Sequence, residues 1–320
     1  VNYHAYIDMS TWQAAEAAHL VNDTNTHIVD CDRGSTAGTD SVNWQVLGWN
    51  MDATYFCTIR ANRDSVNGFN NTGEVDFTTF FTVEQDGGIS THAQISETFV
   101  VIDGLQFEHN TATSSRFCLT ASSASVTIKN CYFEKDSGST GTNSRALSAD
   151  GTGVVIHNCV ISGFNDVNDR AIYGNKPFTA YNCTIYDAYE GVALTSAITG
   201  VEVVTVKNCA IFNCATDLVD LSTSAGVTFD YNTTDDPATG FLDPRGTNGQ
   251  DLNDSTTLWD EAVRARASGD FRIDSEDSLL YNTGIGNAGD VNVPTTDILG
   301  NIRWTNDIGA FAYSSTEIRR

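Results

Sequence analysis

At 320 residues, with 40 % hydrophobic and 10 % aromatic, the chain carries ample material for a packed core, and 26 Gly beside only 4 Pro excludes a collagen-like or disordered chain. Forty-one Asp and Glu stand against 17 Lys and Arg, a net charge of −24. Nucleic acid and anionic membrane surfaces are therefore excluded as expected partners, because phosphate binding draws its affinity from clustered Lys and Arg.

No apolar run of signal-peptide length follows Val1-Asn2-Tyr3-His4, so no export signal is expected. No stretch approaches the roughly 18 consecutive apolar residues of a spanning helix, so no membrane insertion is expected. The first predicted element is a helix from Asp8 to Leu20, opened by a Ser10/Gln13 capping box and carrying Trp12, Ala15 and Ala18 on its apolar face. Residues 1–43 are expected to form an N-terminal cap that closes the end of whatever follows.

Internal repetition decides the middle of the chain. Val100–Phe107, Val126–Phe133, Val154–Ile161, Phe178–Ile185 and Val204–Ile211 each alternate apolar and polar residues with period 2, a strand signal, and a weaker sixth copy begins at Val227. Cys131, Cys159, Cys183 and Cys209 recur 28, 24 and 26 residues apart. Such a period is too short for a strand-helix-strand crossover of about thirty residues, yet it fits one coil of two or three short strands. The expected fold is all-β, a single-stranded right-handed parallel β-helix with a short N-terminal capping helix, its coils running over 44–256.

Stacked coils turn repeated positions into columns. Val126, Val154, Phe178 and Val204 are expected to point inward, as are Ile128, Ile156, Ala180 and Val206. Asn130, Asn158, Asn182 and Asn208 fall where one strand turns into the next, and are expected to form a ladder in which each amide bonds to the turn of the next coil. Cys131, Cys159, Cys183 and Cys209 form an inward column of small hydrophobes, and whether they pair as disulfides is open.

Two outward features could carry chemistry. One is the column Asp103, Lys129, His157, Tyr181, Lys207 and Asp230, flanked by Thr127, Val155, Thr179, Thr205 and Thr228. It reads either as an ordinary solvated face or as a glycan-binding one, with Lys129, His157, Tyr181 and Lys207 as ligand-binding candidates. The other is Arg116, Arg145 and Arg170, in register at the start of a second strand, where the column then switches to Glu190 and Asp217. These arginines either brace acidic loops through Asp166, Asp169 and Glu134, or bind an anionic sugar or a partner carboxylate, or serve catalysis. Asn165–Asp169 is the best candidate for a Ca²⁺ loop, through Asp166, Asn168 and Asp169, and no other cofactor is expected. After the coils, a helix over 258–266 and a closing coil or cap are expected within 257–320.

The chain resembles phage and bacterial right-handed β-helix repeat proteins of pectin-lyase-like fold over nearly its whole length. The residues carrying the resemblance are Gly48-Trp49-Asn50-Met51-Asp52-Ala53-Thr54-Tyr55, Ile102-Asp103-Gly104-Leu105-Gln106-Phe107, Asp270-Phe271-Arg272-Ile273, Asp297 through Arg303, and Asp307-Ile308-Gly309-Ala310. It departs where Ala312 replaces a usual Glu and Ser278-Leu279-Leu280 replaces Ser-Pro-Ala. The resemblance implies surface and virion proteins such as tail spikes, fibres, capsid decorations and adhesins, as well as polysaccharide-degrading enzymes. The companion motifs of pectate lyases and polygalacturonases do not occur, Asp235-Asp236 beside Pro237 is the one Asp-Asp pair, and the histidines at 4, 19, 27, 92, 109 and 157 are scattered, so no catalytic residue is expected. The expected function is a non-catalytic structural or adhesion protein of a tailed-virus virion, a head decoration, turret or spike. It would bind other virion subunits or host glycan at a virion surface or extracellularly, as a homotrimer. The alternatives are a polysaccharide lyase or glycoside hydrolase working along the Arg column, and a bacterial surface adhesin.

Overall fold

A computed structural model describes residues 2–6, 26–31, 44–47, 51–61, 82–85, 91–235, 243, 245–252, 256–273 and 275–313. The helix expected over 8–20 lies outside the described residues. Within them the chain winds as a right-handed parallel β-helix, one coil contributing, for example, Thr127–Lys129, Tyr132–Lys135 and Arg145–Ala149. The three strands of successive coils stack into three parallel sheets, of nine (sheet A), eight (sheet B) and seven (sheet C) strands among the described residues. Sheet A starts with Asn2–Tyr6 and His27–Cys31, in parallel register with Cys57–Ala61. The sheet A stack therefore includes strands before 44, and His27–Cys31 alternates buried and half-buried residues as the later strands do.

The inward columns fill the core as their alternation dictates. Val126, Ile128, Val154, Ile156, Ala180, Val204 and Val206 are wholly buried, and Phe178 nearly so. Between sheets A and B the chain turns on a single residue in the left-handed region: Gly104 (φ 76°), Asn130 (56°), Asn158 (54°), Asn182 (52°), Asn208 (55°) and Tyr231 (56°). Left-handed backbone costs most L-residues about 1–2 kcal/mol and costs Asn least, because its short amide bonds locally. The residue after each turn drops into the core as Leu105, Cys131, Cys159, Cys183 and Cys209, all fully buried, with the four thiols free. Each Sγ donates to the carbonyl two residues back, as Cys131 does to Lys129 at 3.1 Å. Asn232 takes the same place in the next coil: its side chain accepts the Cys209 N–H at 2.9 Å and donates to the Val206 carbonyl at 3.0 Å.

The asparagine ladder is only partly coil to coil. Asn158 donates to Asn130 at 3.2 Å and Asn208 to Asn182 at 3.5 Å. Between Asn158 and Asn182 the chain of amides breaks, because the donors face another partner. Asn158 Nδ2 reaches the Thr296 carbonyl (2.8 Å), Asn182 Nδ2 that of Asp307 (3.0 Å), and Asn208 Nδ2 that of Ile285 (2.7 Å). The ladder thus holds the C-terminal segment against the solenoid.

That segment is a flank and not a closing coil. The helix Thr256–Ala262 ends before 266, where Val263–Ala265 forms a short antiparallel pair with Asp270–Ile273 around a 3-10 turn closed by Gly269 at φ 77°. Residues 275–313 then lie along the coils. A second apolar core joins the outward side chains Tyr132, Val160, Ala210 and Phe212 to Trp259, Phe271, Leu280, Ile298, Ile308 and Phe311, with Phe212 and Trp259 stacked at 3.8 Å. Three tail residues are its clasp: Arg303 donates to the carbonyls of Gly309 (2.8 Å) and Ala310 (3.0 Å), Asp297 accepts the Asn301 N–H (2.7 Å), and Asp307 accepts those of Asn282 (2.8 Å) and Tyr313 (2.9 Å).

Asn158→Ala loses both the left-handed preference and the bonds to Asn130 and Thr296, and is expected to destabilise by about 2–4 kcal/mol in urea unfolding. Asn158→Gly is expected to recover only the backbone part. An Asn158→Gly variant as stable as the parent protein would show that the side-chain bonds contribute nothing.

Candidate functional site

The outward column of sheet A is in the expected register, Asp103, Lys129, His157, Tyr181, Lys207 and Asp230 being successive partners. It is not, however, an open polar face. Asp290 of the C-terminal flank accepts the Tyr181 hydroxyl at 3.2 Å and pairs with Lys207 at 2.9 Å, leaving Tyr181 3 % exposed. Burial pushes the pKa of His157 down to about 4, so it stands neutral. Lys129 pairs with Asp103 at 3.4 Å. The sequence alone did not show that residues more than a hundred positions downstream would cover this face.

The expected Ca²⁺ loop is likewise committed elsewhere. Lys135, its side chain 1 % exposed, places its ammonium 2.5 Å from Asp169, 2.7 Å from Asp166 and 2.5 Å from the Gly141 carbonyl. Asp169 also accepts the Ser144 N–H at 2.7 Å. Asn168 supplies a left-handed turn, φ 63°. The oxygens expected to hold Ca²⁺ hold an ammonium, and no cluster of three or more metal-binding side chains occurs among the described residues.

The arginine column stands at the start of sheet C, the third strand of each coil and not the second. Arg145 and Arg170 are direct partners, but Arg145 lies opposite Phe117, so Arg116 sits one residue before the column. Glu190 follows Arg170, and Thr216, not the buried Asp217, follows Glu190. Nor do Asp166, Asp169 and Glu134 neutralise these arginines. Arg170 Nε pairs with Glu190 at 2.6 Å and its Nη1 donates to Asn143 at 2.7 Å. Arg145 has no carboxylate partner among the described residues. Its guanidinium is sandwiched between Tyr173 (3.5 Å to the ring centroid) and Phe117 (4.3 Å), Nη1 reaches Ser148 at 3.3 Å, and buried Nε lacks an acceptor. Burial lowers its pKa from the ordinary arginine value. Arg116 Nε is also buried without an acceptor, and the Arg116 carbonyl accepts the Arg145 N–H at 2.8 Å. Two guanidinium groups without a carboxylate partner among the described residues thus lie on adjacent coils.

On the outer face of sheet B the register stacks Glu84, Glu108 and Glu134, followed by Ser162, Tyr186 and Phe212. Sequence reasoning missed this column, although Phe107-Glu108 and Phe133-Glu134 repeat the same pair in successive copies. Beside it, under the turn at Arg266, opens a groove of about 540 Å³, adjoined by a smaller one of about 350 Å³ that reaches Trp259. Burial, followed by the charges of Glu108 and Asp136, raises the Glu134 pKa to about 7.

The profile described as a right handed beta helix region matches residues 88–254, just over half of the sequence. The chain belongs to the right-handed β-helix family. The matched span carries the asparagine turns, the cysteine column and all three arginines, so membership accounts for the scaffold on which these side chains stand. Comparison with curated proteins gives no match, and comparison with solved structures gives none.

Glu134 stays protonated in the folded protein while its unfolded counterpart, near 4.5, has ionised. Native protein then binds more protons than unfolded between about pH 4.5 and 7, and stability contributed by the neutral form is lost as pH rises through that window. Glu134→Gln is expected to match the parent protein below about pH 4.5 and to exceed its stability by about 1–3 kcal/mol above pH 7. Urea unfolding across pH checks this, and no difference at high pH would mean that Glu134 has a counter-charge in the folded state.

Proposed function

We propose that this chain is a non-catalytic β-helical surface protein, a virion decoration or spike of the tailed-virus kind, that binds a carboxylated glycan across sheet C at Arg116 and Arg145. The carrying observation is the pair of guanidinium groups left without carboxylates in a chain whose acids outnumber its bases 41 to 17. A guanidinium held flat between two rings presents a fixed fork, which suits bidentate capture of a planar carboxylate such as that of a uronic or sialic acid. At physiological salt the Debye length is about 8 Å, so the distant acidic surface repels such a ligand only weakly. The non-catalytic part of the reading is supported by Arg145 being clamped by aromatic rings instead of standing beside an acid and base pair. The virion setting, the extracellular location and assembly with other subunits or as a homotrimer rest on the sequence resemblance.

The reading is tested by titrating oligogalacturonate and a sialylated oligosaccharide into the parent protein, Arg116→Ala and Arg145→Ala by calorimetry. Saturable binding that weakens by about tenfold or more in Arg145→Ala is expected, with no new reducing ends and no rise in unsaturated-uronate absorbance. Binding unchanged in both variants, or release of cleavage products, would overturn it.

A further inference from the structure

We propose that the lateral groove between the outer face of sheet B and the Arg266–Phe271 turn is a second ligand site, separate from the sheet C arginines, that takes an amino sugar through its ammonium group. Four observations converge on it. Glu134 lines the groove, is mostly buried, and has no hydrogen-bond donor or cation beside it among the described residues. Its near neighbours Glu108 and Asp136 line the same groove and add like charge. Holding an ionised carboxylate here without a counter-charge is costly, so Glu134 keeps its proton in the empty groove and ionises when a cation enters to pair with it.

Among the described residues, the cations that line the groove are engaged elsewhere. Lys135 is spent on Asp166 and Asp169 at the groove wall, which also shows that this corner holds an ammonium comfortably. Arg266 pairs with Asp260 at 2.8 Å and lies over the Tyr186 ring at 5.7 Å. A metal ion is disfavoured by the donor set, since no three metal-binding side chains converge among the described residues. An organic ammonium needs only one or two carboxylates and an aromatic face, and Tyr186 supplies the face.

The rest of the lining points to a sugar. Ser137, Thr140, Ser162 and Asn165 bring hydroxyls and an amide suited to sugar hydroxyls. Where the groove continues past Asn165 and Asp187, it reaches Trp259, 1 % exposed, whose indole N–H is buried without an acceptor. A ligand hydroxyl would supply that acceptor, which a bare metal or a simple alkylamine would not. The combined opening accommodates one or two pyranose rings.

The test uses three oligomers of equal length near pH 7 and physiological salt: fully deacetylated chitosan, its N-acetylated counterpart and oligogalacturonate. Chitosan oligomer is expected to bind saturably at one site, and Glu134→Gln to weaken it by about tenfold. Glu202→Gln removes the same charge from a surface strand away from the groove, and Arg145→Ala disables the sheet C site; both are expected to leave chitosan binding unchanged. Equal weakening by Glu134→Gln and Glu202→Gln, equal affinity for the acetylated oligomer, or no saturable chitosan binding would each overturn the proposal. Failure of oligogalacturonate binding alone would bear on the arginine site and not on this one.

Discussion

The structure depends on one constraint, that each coil from Val100 to Asp230 leaves sheet A through a single left-handed residue. Placed at the same height in each coil, that turn fixes where the next strand begins and which side chain falls inward. Asparagine meets it at four successive coils and glycine at one (Gly104, Asn130, Asn158, Asn182, Asn208), and a fully buried Leu or Cys follows each time. Parallel register about 4.8 Å apart then reproduces the arrangement coil after coil. The cysteines suit this geometry: the corner takes a buried apolar side chain, Leu105 in one coil and Cys in the next four, and burial keeps the Cys159 and Cys209 thiols protonated.

The same turn does a second job. Because its amides sit at the corner of the solenoid, they are available to whatever chain passes outside, and the C-terminal flank uses them at Asn158, Asn182 and Asn208. The flank covers apolar residues that sheet B turns outward, and it brings Asp290 onto Tyr181 and Lys207. What remains open is set by where the flank does not reach. The sheet C face keeps its arginines, and the groove under Arg266 keeps its carboxylates.

The scaffold was legible in the sequence because it is periodic. Alternation at Val126–Ile128 and Val154–Ile156, and Asn-Cys at fixed places, are local statements about strands and turns that repetition makes unambiguous. The arginine column was legible within one residue: Arg145 and Arg170 pair as expected, while Arg116 falls one residue before the strand position, which Phe117 occupies. Where the reading failed, the determinants were non-local. Asp166 and Asp169 read as a Ca²⁺ loop until Lys135, from the preceding coil, was found between them. His157 and Tyr181 read as surface residues until the distant flank buried them. Stacking of Glu108 on Glu134 was legible in the repeated Phe-Glu pair and was missed, whereas Glu84 joins the column only through strand register.

If the asparagine turns hold coils and flank as one cooperative unit, amide hydrogen exchange reads it directly. The amides of Ile308, Gly309 and Ala310, which donate to Leu280, Asn208 and Thr184, should exchange with the same protection as the turn amides of Asn158 and Asn182. Exchange of residues 280–313 faster than the coils by orders of magnitude would contradict the account, and would make the flank a loosely attached cover over an independently folded solenoid.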